Sequence, residues 1–97
     1  MAEAQDPFDL LDSVQDEASF IAFVEALAGD FARERALEAE NPSSPYGPGA
    51  LGWQNDRIDT MLGCAAAYAG DTRNRGANDP NPWHRCAEIL YMGKIYE

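Results

Sequence analysis

The sequence predicts an all-α protein, a small bundle of about four helices. Three observations predict it. Apolar residues recur at three- and four-residue steps in four separate segments. Two pairs, Asp6-Pro7 and Asn81-Pro82, set an oxygen-bearing cap beside a proline whose φ suits a first helical turn. No segment sustains the apolar–polar alternation of a strand. The expected helices cover residues 7–14, 17–38, 56–69 and 82–95, with a long Pro/Gly loop over 41–54.

Each helix has its own grounds. Phe8, Leu11 and Val14 step along the first, which ends before Gln15. Asp16 caps the second and Glu17 suits its positive end, while Phe20, Phe23, Val24, Leu27 and Phe31 form an apolar stripe. Beyond Phe31 the period reaches Glu34, Arg35 and Glu38, so this helix is expected to leave the core near Ala32 and run into solvent. Three prolines and three glycines between Asn41 and Gln54 exclude regular structure there. Asn55 is expected to cap the third helix, with Ile58, Met61, Leu62, Ala65 and Ala69 as its buried stripe and Gly70 as its end. Residues 71–80 read as a polar loop. The last helix carries Trp83, Cys86, Ala87 and Leu90 on one stripe, and Ile89, Tyr91, Met92 and Ile95 around the rest. A helix so apolar all round is central or part of an interface.

Ninety-seven residues make one domain, 1–97, able to hold a small core without metal or disulfide; residues 1–5 are expected to be disordered. The net charge is −10, and it is unevenly placed. Eleven of the seventeen acidic residues lie in the first forty positions beside only Arg33 and Arg35. Such a chain disfavours nucleic acid and anionic membranes and favours fast capture of a basic partner. The opening residues carry no signal-peptide pattern and no stretch has the length of a membrane span, so a cytoplasmic protein is expected. Cys64 and Cys86 make no disulfide scaffold and read as small hydrophobes.

The run from Trp53-Gln54-Asn55 to Leu62 and the closing run from Trp83 through Ala87, Ile89-Leu90 and Gly93-Lys94-Ile95-Tyr96-Glu97 are distinctive. With Phe20, Phe23, Val24, Leu27 and Asp30, they resemble a family of small acidic bacterial proteins that carries a domain-of-unknown-function label. The resemblance covers most of the chain from Phe8 onward, with a longer stretch between about Ala32 and Leu51 than typical members have. It implies no particular activity and no site residue.

Chemical motifs are sparse. Gly47-Pro48-Gly49-Ala50-Leu51-Gly52 spells Gly-x-Gly-x-x-Gly, but no predicted strand feeds it, so it reads as a connector. Asp6, Asp9, Asp12 and Asp16 share a spacing, yet a helix face diverges where a cation needs converging oxygens. His84 and Cys86, two apart on one helix, do not face each other. No zinc spacing is present. The sequence therefore predicts no catalytic residue, cofactor or metal. The expected function is a non-enzymatic interaction module binding a basic protein through an acidic face. An immunity-type inhibitor of a basic toxin is one version. The candidate contact residues are Asp9, Asp12, Asp16, Glu17 and Glu25 with the aromatics Tyr46, Tyr91 and Tyr96. The alternatives are a homodimer through the last helix and a small enzyme using paired carboxylates.

Overall fold

The computed structural model describes residues 5–96. Its described residues form five helices and no strand: α1 (Pro7–Leu11), α2 (Glu17–Glu40), α3 (Ile58–Asp71), α4 (Arg73–Ala77) and α5 (Pro82–Ile95). The all-α expectation holds. The expected disorder of residues 1–5 falls, but for Gln5, outside the described residues.

Three helix starts form as their sequences dictate. The Asp6 carboxylate accepts from the Phe8 amide at 3.0 Å. Asp16 accepts from the Ser19 amide at 2.9 Å, and the Ser19 hydroxyl accepts from the Asp16 amide at 3.0 Å, a reciprocal cap. Asn81 Oδ1 accepts from the Trp83 amide at 3.0 Å, and its Nδ2 donates to Gln15 O at 2.9 Å, tying the start of α5 to the α1–α2 turn.

Helix α5 is the centre of the fold and packs against α1, α2 and α3. Its all-round apolarity is thereby explained. Phe23 and Leu27 of α2, Val14, Trp53 and Ala87 form the buried cluster. The α3–α5 approach is close because Gly93 lacks a side chain. A Cβ there would sit 2.7 Å from the Met61 carbonyl and 3.2 Å from Ala65 Cβ.

Four expectations fail, each for a physical reason. Helix α2 leaves the core after Glu34 rather than near Ala32: Asp30 and Glu34 are buried, at 4% and 3% exposure, because the chain after Gly49 folds back over them, while the helix beyond, save half-buried Glu38, is exposed. Asn55 is not a cap; it is buried and donates from Nδ2 to Gly93 O and Tyr96 O, both at 2.9 Å, so α3 starts at Ile58 without a side-chain cap. Gly70 does not end α3, which continues to Asp71 and closes with Thr72 bonding Tyr68 O. The loop expected over 71–80 contains α4. Several residues assigned to buried stripes also lie outward, Val24 of α2 and Phe8 of α1 among them. Ile58 and Leu62 are exposed, at 81% and 53%, since Met61, Ala65 and Tyr68 take the face toward α5. Cys86 is likewise exposed.

Candidate functional site

The most distinctive arrangement in the interior is polar. Asp30 and Glu34 stand one turn apart on α2, in register with Phe23 and Leu27. Asp30 Oδ2 accepts from Lys94 Nζ at 2.8 Å and from the Trp53 indole N–H at 2.9 Å. Glu34 Oε1 accepts from the backbone amides of Leu51 and Trp53, at 2.9 and 3.2 Å. The two carboxylates therefore grip one tryptophan by its ring and by its backbone. Lys94 Nζ also lies 5.5 Å from the Trp53 ring centre and 5.8 Å from that of Tyr91, within cation–π range. The Lys94 carbonyl accepts from the Gln54 and Asn55 amides. Gly49 passes so close to the Glu34 carboxylate that any side chain there would collide with it, and Gly52 turns the chain at φ 90°. Gly49 and Gly52, two of the three glycines of the Gly-x-Gly-x-x-Gly run, thus serve a tight fold-back over α2.

That network builds one end of a groove. The groove, about 380 Å3, runs between α2 and α3 with α5 beneath. Val24, Ala28 and Phe31 line one wall, Ile58 and Leu62 the other, and Leu90 the floor. Trp53, held by Asp30 and Glu34, packs edge-on against Phe31 at 4.8 Å and closes the end. Asp56 and Arg57 stand at the mouth; Arg57 is paired with Asp59 at 3.2 Å.

The predicted contact residues do not gather into one patch. Asp9, Asp12, Asp16, Glu17 and Glu25 are exposed, as expected of a wet acidic face. Asp16 is occupied as a cap, and the Ser19 hydrogen bonds hold its carboxyl below the ordinary value. Glu25 lies on a different side of α2, beside Ala22 and Leu10. Tyr46 is almost fully exposed, on the loop. Tyr91 is half-buried against Phe8, and burial raises its phenol above the ordinary value, with Asp6 and Asp30 adding to it. Tyr96 is also half-buried. It stacks edge-on against Tyr68 at 5.3 Å and donates its hydroxyl to Asp71, the bond that raises its phenol. Asp12 sits by His84 at the start of α5 and Tyr96 at its far end, roughly 20 Å away by helix rise. Tyr91 and Tyr96 are therefore not the free aromatics expected.

His84 is a joint. Its Nδ1 meets Asp79 at 2.7 Å and its Nε2 lies 3.8 Å from Asp12. The Asp79 hydrogen bond raises the imidazole above its ordinary value, and the same bond lowers Asp79. Arg85 closes the end of α3, donating to Ala69 O and to the Thr72 hydroxyl, both at 3.1 Å, while also bonding Glu88 at 2.9 Å.

The sequence reading missed Asp30, Glu34, Asn55 and Lys94 as interior residues, and Ile58 and Leu62 as surface. One signal was available: two carboxylates at stripe positions of α2, and a lone lysine in the apolar α5. Among the described residues no group of three or more His, Cys, Asp or Glu is placed to share a metal, and no helix is long and apolar enough to cross a membrane. Comparison with family models, curated proteins and solved structures returns no match.

Proposed function

We propose that the protein is an interaction module that captures a basic protein partner, an immunity-type inhibitor of a basic toxin being one such role. The supporting observation is how the chain uses its cations. Of seven lysines and arginines, five are engaged with carboxylates of the same chain: Lys94 and Arg33 with Asp30, Arg57 with Asp59, and Arg75 and Arg85 with Glu88. Asp9 in α1, Asp12 at its C-cap and Glu17 in the first turn of α2 are exposed, Asp12 with His84 3.8 Å away. Unmatched surface charge of one sign steers oppositely charged partners and sets their rate of encounter. Membership in the small acidic family that the Trp53 and Trp83 runs resemble, and a cytoplasmic setting, belong to the same proposal.

Affinity capture followed by stopped-flow association is the test. With the captured partner, the association rate should fall about tenfold or more from low to high salt while dissociation barely changes. The triple variant Asp9→Asn, Asp12→Asn, Glu17→Gln should lose most of that salt dependence. A rate indifferent to both salt and the triple variant overturns the proposal. Helix α5 is wrapped on three sides, so nothing in its packing favours self-association over this reading.

A further inference from the structure

Steering brings a partner near; it does not say where the partner seats. We infer that the groove between α2 and α3 receives an amphipathic α-helix of that basic partner, with its apolar stripe down and its Lys and Arg residues toward the mouth. The inference rests on the reading above and adds the seat and the partner's shape.

The walls set the shape. Val24 and Ala28 on α2, and Ile58 and Leu62 on α3, are two pairs spaced four apart. Each pair is one i,i+4 ridge, the relief that another helix's side chains interdigitate with. Helices α2 and α3 flank the groove while each packs on α5, so an occupant would lie between two helices already held in place by a third. The described residues offer no strand edge for an extended peptide to join. Val24, Ile58 and Leu62 are 38%, 81% and 53% exposed, a cluster of large apolar side chains without cover.

Charge chooses between occupants. Asp56 is exposed at the mouth, and Arg57 beside it is already matched by Asp59. Glu17 continues the exposed row Ile21, Val24, Ala28 at the helix spacing, so a second carboxylate lies on the same face of α2 beyond the groove's end. A second copy of this chain would bring another −10 against the first. A cationic helix meets no such cost. Asp30, Glu34 and Lys94 support the site from behind by fixing Trp53, and they do not touch the occupant.

A phage-displayed library of peptides of about 18 residues, long enough to hold a helix, tests this. All carry apolar residues at i, i+3, i+4 and i+7. One half carries Lys and Arg at the other positions, the other half Asp and Glu. The full chain is the bait. Cationic members should enrich, shift the methyl resonances of Val24, Ile58 and Leu62, and bind about tenfold or more weaker to Ile58→Lys and to Leu62→Lys. Both substitutions are at exposed positions, and circular dichroism confirms that the variants remain folded. Cationic peptides that perturb only α1 and ignore both variants would overturn the groove as the seat while leaving the basic-partner reading intact. Enrichment of the anionic half would overturn both; enrichment of neither half would overturn the groove as the seat, with the basic-partner reading decided by the stopped-flow test. A dimer in light scattering that Leu62→Lys dissolves would assign the groove to a second copy and overturn the inference.

Discussion

Replacing Lys94 with methionine keeps the unbranched stem of the side chain and removes its ammonium. Asp30, 4% exposed, would then keep the Trp53 indole N–H and an arginine 3.7 Å away, but lose its closest cation. Breaking one half of a buried pair costs about 3–5 kcal/mol, a large share of the roughly 5–15 kcal/mol that holds a domain together. Lys94→Met should therefore lower the urea midpoint sharply. Adding Asp30→Asn should return more than half of the loss, because the amide oxygen still accepts from Trp53 while the stranded charge is gone. A double variant no more stable than the single one would show that the pair is not what Lys94 supplies. This residue-level design was only half legible in the sequence. Periodicity sorts residues into apolar and polar, and it reads a carboxylate on the buried stripe as the stripe's end. The cation that makes Asp30 tolerable lies 64 positions away, beyond any local pattern.

Elements were easier to read where their ends carry side-chain chemistry. The Asp6, Asp16 and Asn81 caps fixed three helix starts, since an oxygen that satisfies an orphan amide is written in the local sequence. Asn55 misled for the same reason: a residue suited to capping spends its amide on carbonyls of α5 instead. Helix α4, five residues of Arg-Asn-Arg-Gly-Ala, has no apolar period to show. The groove was illegible because Ile58 and Leu62 fit a buried stripe as well as Met61 and Ala65 do; which of the two sides turns inward is settled by the close approach at Gly93. Between elements, His84 clasps α5 to the end of α1 and to Asp79. Its folded-state value is raised, so its contribution is complete below the ordinary value of 6.5 and fades as pH rises through the raised one. Asp79 is lowered, so its contribution is present above 3.8 and fades only as pH falls through its depressed value. The clasp is thus strongest between those two ordinary values. His84→Gln should lower the melting temperature more at about pH 5.5 than at about pH 9. An equal loss at both would mean that the imidazole acts only by its shape.

The whole molecule is a thin slab, 42 × 34 × 18 Å, with a radius of gyration of 13.9 Å. A compact domain of this length averages about 12.5 Å. Thinness follows from the arrangement: α2 is long, α5 occupies the middle, and among the described residues no further layer covers the α2–α3 side. The surface then carries most of the −10 charge with few cations beside it. Self-repulsion among those carboxylates opposes folding, whereas the Lys94–Asp30 pair is too buried for salt to screen well. Melting temperature should accordingly rise from low to moderate sodium chloride. A fall would indicate that surface ion pairs, not repulsion, dominate the balance.

The bond between Lys94 and Asp30 also bears on how the polypeptide comes into being. Translation proceeds from the amino end, so α2 emerges long before the ammonium that its inner carboxylate requires. Until that lysine clears the ribosome, Trp53 has its acceptor but the acceptor lacks its counter-ion, and the fold-back over α2 has nothing at its far side to hold. A chain tethered to the ribosome by a linker short enough to keep Lys94 inside the exit tunnel is expected to remain protease-sensitive, and one on a linker long enough to bring Lys94 outside is expected to resist.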